Sequence, residues 1–319
     1  MARALGELGH EVAFEIPHFT LPVYTAQRLL FNRRLRHAPG FDATVGFDMD
    51  GYRIAAGRPH VAALKGVIAD EVRFERGLTR LTMSIQARCE RTHVQRAARV
   101  VVTSRYSAER AREFYALATF PAIVPELIEL TAWRRLLDDA DVPPPSRFTV
   151  LFVGRMYRRK RVEVLLRAAA RLRDTEVRIV GNGPCAESWR RLSRDLKLER
   201  TVTWLGDVSR AQLAAEYKRC DVFCLPSVQE GFGIVLLEAM AAGKPIAASR
   251  AAAIPEVAPH AALVEPDNPE ALAFELSKLR DSSDHRMTMG RDGASWVERF
   301  DAPRVALLFL DAITDIGAG

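Results

Sequence analysis

No apolar run in this chain is long enough to cross a bilayer; the stretch "VALLFLDAI" near the C-terminus is too short. The opening "MARALGELGHEVAFEIP" carries Glu7 and Glu11 and has no signal-peptide core. Both absences point to the cytoplasm. Cysteine is scarce: Cys89, Cys185, Cys220 and Cys224 are the four, and none forms a CxxC pair. That argues against a disulfide framework and against zinc. Cys220 and Cys224 flank the strand-like "DVF" and read as buried free thiols. There is no low-complexity tract, no short repeat and no visible set of metal ligands.

What is present has the balance of a folded soluble protein, 48% hydrophobic and 27% charged. A length of 319 residues suggests two domains. The net charge of +6 is mildly basic and suits an anionic ligand or a membrane surface without choosing between them. No feature calls for nucleic acid as a partner.

The strongest punctuation is "LLDDADVPPPSRF", residues 136–148. Three prolines, Pro143 to Pro145, fit neither a helix interior nor a central strand, so the domain boundary is expected there. Beyond it strands and helices alternate. "FTVLFVG", "EVRIVG", "TVTWLG", "DVFCLPS", "PIAAS" and "ALVEP" read as strands. Helical spacing fills the gaps, with Ser209 and Asn268 as caps and Pro269 at a first helical position. Strands apolar throughout and separated by helices imply a parallel sheet covered on both faces. Before the prolines, "EVAFEI", "DATVGFD", "HVAALKG" and "RVVVTS" read as strands, with helices over 76–97 and 106–116. The expected fold is α/β: two doubly wound, Rossmann-like domains facing across a cleft. Ligands bind beyond strand C-terminal ends in such folds.

Four loops of the second half follow strands. In "VGRMYRRKRVEVLL", Arg155 and Lys160 flank a helix start and suit a diphosphate, although with Arg158, Arg159 and Arg161 crowded there a solvated basic loop is the plainer reading. In "VGNGPCA", Gly181, Gly183 and Ala186 match a G-x-G-x-x-A fingerprint, with Asp207 downstream. That signal is weak, because such glycines often serve only a tight turn. The third loop, Gly206 to Val208, suits a base pocket and carries no specific mark. The fourth is "QEGFGIVLLEAMAAGKPIAAS", residues 229–249. Its helix is apolar on nearly every side, yet Glu238 sits within it and Glu230 stands before the Gly-Phe-Gly entrance. Gly231 and Gly233 bare backbone N–H groups ahead of the helix. Glu230 suits sugar hydroxyls, and Glu238 suits the paired hydroxyls of a ribose. A structural pairing of Glu238 with an arginine explains it equally well.

Together, "GRMYRRK" and "EGFGIVLLE" resemble the retaining glycosyltransferases of the GT-B fold, family GT4, whose signature is Glu, seven residues, Glu. The resemblance covers nearly all of 148–300; "AARVVVTSRYSAERAREF" and "IVPELIELTAW" resemble parts of the family's N-terminal domain. It implies an N-terminal acceptor-side domain over 1–142, a nucleotide-sugar domain over 147–299, and a helix over 300–319 that crosses back. It further implies Glu238 on the ribose, Glu230 on the transferred sugar, and Arg155 with Lys160 on the leaving diphosphate. Gly231, Phe232, Gly233, Ile234, Asn182, Gly183, Gly206, Asp207 and Val208 would line the donor. No cofactor or metal is expected beside the nucleotide-sugar. The acceptor would be a sugar, a glycolipid or a small molecule, in cell-envelope or polysaccharide synthesis.

The sequence departs from the family twice. The family begins with a strand and a glycine-rich loop; here the chain opens at "MARALGELGHEV", which resembles the helix after that loop, so the first strand is expected to be absent. Where the family often has His-Gly, "HVAALKG" has Lys65-Gly66, either a further cation for the site or a surface lysine. His60 reads as a strand-end residue. These departures also motivate a nucleotide-sugar-binding subunit of impaired activity. A dinucleotide-dependent oxidoreductase rests on "GNGPCA" alone. Lastly, "QRLLFNRRLRH", residues 27–37, reads as a helix with a solvated basic face, or as a contact with anionic membrane.

Overall fold

The computed structural model describes residues 1–35, 40–54 and 56–314. Its chain divides into two units, one built from Met1–Leu127 with the segment from Ala302 onward, the other from Ile128–Asp301.

The first unit holds a parallel sheet of four strands in the order β1-β2-β3-β4: Thr44–Phe47, His60–Leu64, Arg99–Val102 and Ala122–Ile123. β2 is buried at every position, as expected of a strand covered on both faces. The expected helices lie at Gly77–Arg96 and Arg105–Tyr115. Ala302, Val305, Ala306 and Phe309 line one face of the helix Ala302–Ile313, at the spacing of a helix stripe. They pack on Leu5, Val61, Val101 and Val124 and close the lower core of this unit.

The expected strand at 11–16 does not form. Val12, Phe14 and Ile16 alternate as a strand would, but Phe14 is 72% exposed and no described strand pairs with the segment. Alternation alone cannot hold a strand, because its backbone groups need an edge to bond. The two-residue β4 is too short to show a period in the sequence.

In the stretch 27–37 the helix Tyr24–Arg34 forms, and residues 36 and 37 lie outside the described residues. Its basic face is only partly solvated: Arg33 and Arg34 are exposed, whereas Arg28 turns inward to Asp50 at 2.8 Å and donates to the Phe47 carbonyl. Asp50 also accepts from Asn32, so its charge is met twice over.

Beside this pair lie His60 and His93, both fully buried, with their Nε2 atoms 2.7 Å apart. His93 Nδ1 faces the Asp48 carbonyl, which can only accept, so that nitrogen carries the proton. His60 Nε2–H then donates to His93, and Thr44 donates its hydroxyl proton to His60 Nδ1. Burial lowers the His93 pKa to about 4.

The second unit holds six parallel strands: β5 Phe148–Val153, β6 Thr175–Val180, β7 Val202–Gly206, β8 Val222–Leu225, β9 Ile246–Ser249 and β10 Ala262–Val264. Their order is β10-β9-β8-β5-β6-β7. The chain runs outward from β5 through β6 to β7, then returns to β8 on the other flank. The gap between β5 and β8 is therefore a topological switch point. Ser209 closes a capping box with Gln212, and Asn268 caps the helix Pro269–Asp281. Cys220 and Cys224 are buried free thiols on either side of β8's first residues.

The division falls before the prolines, at Leu127–Ile128, rather than at Pro143–Pro145. The cause is the helix Leu130–Asp139, whose Trp133 is wholly buried in the second unit and meets Tyr217 edge to face at 5.6 Å.

Candidate functional site

Four loops leave the C-terminal ends of β5, β6, β7 and β8, and backbone bonds tie them together. Met156 N donates to Asn182 O at 2.8 Å, joining the loops after β5 and β6. Gly181 N donates to Gly206 O at 2.7 Å, joining the loop after β6 to the end of β7. Val228 N donates to Arg159 O at 2.9 Å, joining the loops after β8 and β5.

This arrangement explains the glycines of "VGNGPCA". A Cβ on Gly181 would stand 2.2 Å from the Gly154 carbonyl oxygen, and one on Gly183 would stand 2.7 Å from Met156 N. Both positions let one loop backbone lie against another. The fingerprint is a packing device here, and the dinucleotide reading loses its only support.

At the switch point the structure brings together Lys160 and Glu230. Lys160 ends the one-turn helix Arg158–Lys160, just before rather than within the following helix Val162–Ala169. Its Nζ donates to Glu230 Oε1 at 2.6 Å, with side chains only 13% and 8% exposed. The sequence suggests a separate partner for each, and the structure pairs them with one another. Arg155 stands apart: it is exposed, with its guanidinium 5.8 Å from the Tyr157 ring centre. Of the neighbouring arginines, Arg161 turns to Asp267 at 2.8 Å and Arg159 stacks on Tyr157.

Past Glu230 the chain turns through Gly231, Phe232 and Gly233 into the helix Ile234–Ala241. Gly233 caps it at φ 91°, a left-handed conformation that glycine adopts without a Cβ penalty. Phe232 is buried, edge to face with Phe300 at 5.5 Å, and anchors the turn, while Ile234 is half-exposed. The first turn has no acidic residue, so its N–H groups favour a polar or anionic guest.

Glu238 lies on the second turn, partly buried, and desolvation raises its pKa above the usual carboxylate value. No arginine bonds to it among the described residues. Tyr217 does, donating to Oε2 at 3.1 Å, and Trp133 Nε1 donates to the Glu238 carbonyl at 3.1 Å. Neither aromatic residue was singled out from the sequence, because both sit in ordinary helix patterns. Asn182 bonds its own loop, its Oδ1 accepting from Gly183 N. Asp207 is exposed and Val208 half-buried beside it.

Lys65 and Gly66 belong to the first unit. Lys65 Nζ pairs with Glu126 at 2.8 Å and lies 5.2 Å from the Phe47 ring centre. Its charge is met within that unit. His60 begins β2 within the buried histidine pair.

A family model described as glycosyl transferases group 1 matches residues 136–296, half of the chain. A D-inositol 3-phosphate glycosyltransferase of Corynebacterium kroppenstedtii is 34% identical over 188 residues, covering 53% of this chain and 42% of that protein. The sulfoquinovosyl transferase SQD2 of Arabidopsis thaliana is 30% identical over 163 residues, covering 49% of this chain and 31% of that protein. The chain thus spans less than half the length of these relatives. Among solved structures, WaaG, a glycosyltransferase involved in lipopolysaccharide biosynthesis, superposes with a TM-score of 0.72 at 20% identity, over 100% of this chain and 94% of that one. The sucrose-phosphate synthase of Thermosynechococcus elongatus also gives 0.72, at 22% identity, over 92% and 77%. These structures are of the GT-B fold, and the likeness extends to the whole of the chain.

Proposed function

The chain belongs to the glycosyl transferases group 1 family, and from that premise we propose that it moves a sugar from a nucleoside-diphosphate sugar to a hydroxyl acceptor with retention of configuration. The observation that carries this reading is the Lys160–Glu230 pair, set at the switch point before a helix N-terminus that has Glu238 on its next turn. As the bond from the anomeric carbon to the phosphate oxygen breaks, positive charge grows on the carbon and negative charge on the leaving diphosphate. Lys160 and the helix-end N–H groups meet the negative charge, with Arg155 swinging in from its exposed loop. Glu230 faces the positive charge and holds sugar hydroxyls. Glu238 accepts the two ribose hydroxyls. One of the solved relatives, HepE of Anabaena, holds UDP and glucose at a TM-score of 0.67, which supports a nucleotide-sugar as donor.

The acceptor is a sugar, a glycolipid or a small molecule of cell-envelope or polysaccharide synthesis. A peripheral contact with anionic membrane is supported by Arg33 and Arg34 beside the exposed Leu30. Sedimentation with anionic vesicles tests it, and a chain left in the supernatant removes it. The free thiols support a cytoplasmic setting.

The experiment for the donor site is thermal unfolding with UDP, GDP and ADP, beside Glu238→Ala. A ligand that binds only the folded chain raises the midpoint. A shift with one nucleotide, lost in the variant, is the expected result. No shift from a folded sample overturns the reading. Binding without donor turnover would favour a nucleotide-sugar-binding subunit instead.

A further inference from the structure

Glu238 is gripped from behind. Tyr217 projects from the helix Arg210–Arg219 and is fully buried, its ring fixed by Trp133 edge-on and by Phe223, each at 5.6 Å. Its hydroxyl stands 3.1 Å from Glu238 Oε2 and 3.1 Å from the Val235 carbonyl oxygen. A phenol has one proton and here has two acceptors. With Glu238 ionised, the proton goes to the carboxylate. With Glu238 protonated, the carboxyl donates to the phenol oxygen and the phenol donates to Val235. One geometry thus serves both charge states, but only the first presents a carboxylate that accepts on both oxygens. Among the described residues nothing bonds Oε1. Trp133 holds the backbone of the same residue through its carbonyl.

We propose that Tyr217 is a positioning residue of the nucleotide site: it takes Oε2, fixes the carboxylate rotamer, and leaves Oε1 with one remaining lone pair of Oε2 for the vicinal hydroxyls of a ribose. This rests on the reading that Glu238 receives the ribose. The ligand class is a nucleoside diphosphate whose sugar keeps its 2′-hydroxyl, and a 2′-deoxy nucleotide wastes half of the carboxylate. A residue that merely packs the helix would have no influence on that choice.

The test compares the affinities of UDP, GDP and ADP with those of their 2′-deoxy forms, in the wild-type chain, Tyr217→Phe and Glu238→Ala. The wild type is expected to prefer the ribose form by about tenfold, the scale of one hydrogen bond to a charged group. Tyr217→Phe keeps the ring and should lose most of that preference by weakening the ribose form alone. Its binding should also need higher pH, because the ionised carboxylate has lost a donor and keeps only the nearby charge of Arg210 in its favour. Should the phenylalanine variant not fold, Tyr217→Met fills the site without a hydroxyl and reads the same contrast. Wild-type preference and pH profile in a folded Tyr217 variant, with preference lost in Glu238→Ala, would overturn the proposal and leave the ribose reading standing. Preference retained in Glu238→Ala would overturn both.

Discussion

Lys160 and Glu230 meet at 2.6 Å with little of either side chain in water, so each is the other's main compensation for burial. Breaking such a pair from one side leaves a desolvated charge. Lys160→Ala is expected to lose about 3 kcal/mol of stability in urea, together with donor turnover. The double change Lys160→Met with Glu230→Leu should recover much of the stability and none of the turnover. Parallel loss of both properties in every variant would show that the pair serves the fold alone.

The glycines of the β6 and β7 loops separate packing from backbone strain. Gly181 has φ 113°, and a Cβ there would meet backbone at 2.2 Å, whereas Gly206 has φ 67° and open space where its Cβ would stand. Gly206→Ala should therefore cost about 1 kcal/mol, the left-handed penalty alone. Gly181→Ala must also push two loops apart and should cost about 3 kcal/mol. Equal urea midpoints for the two variants would contradict the loop contact.

The buried histidine pair makes the fold sensitive to mild acid. The His93 pKa falls to about 4 on folding, so the unfolded chain binds the extra proton once pH drops below its ordinary value of 6.5. Stability is full above that value, falls between about 6.5 and 4, and loses about 3 kcal/mol from this residue in all. Urea unfolding from pH 7.5 to 4.5 should show a shallower slope in His93→Gln than in the wild type.

If Lys160, Arg155 and helix-end N–H groups neutralise the leaving diphosphate, donor turnover should be unchanged in excess EDTA. A collapse restored by magnesium or manganese would show that part of the charge is met by a metal ion.

Legibility differed between the units for physical reasons. β5 through β10 are short apolar runs bounded by glycine, proline and caps, and each appears in the structure where its residues suggested. The first unit was harder, because Val12, Phe14 and Ile16 carry a strand's alternation without a partner edge. Pro143–Pro145 lie in irregular chain, as three prolines require, but inside the second unit, because the buried Trp133 sets the division ahead of them. In the site, Glu230 and Glu238 are visible in the sequence as charges beside an apolar helix, whereas Lys160 is one cation of a crowded basic loop. Tyr217 and Trp133 are not visible there, since an aromatic in an amphipathic helix reads as core until its polar atom is seen to bond.

The loops after β5 and β6 and the end of β7 are joined through main-chain atoms, at Met156 with Asn182 and at Gly181 with Gly206. Their outline therefore owes little to which side chains they carry, provided the glycines remain. Asp207, exposed just past β7, and its neighbour Val208 can therefore change without remodelling the ground they stand on. A lineage drifting toward a different donor would find its cheapest changes there, and a laboratory library aimed at new donors would begin at the same two positions.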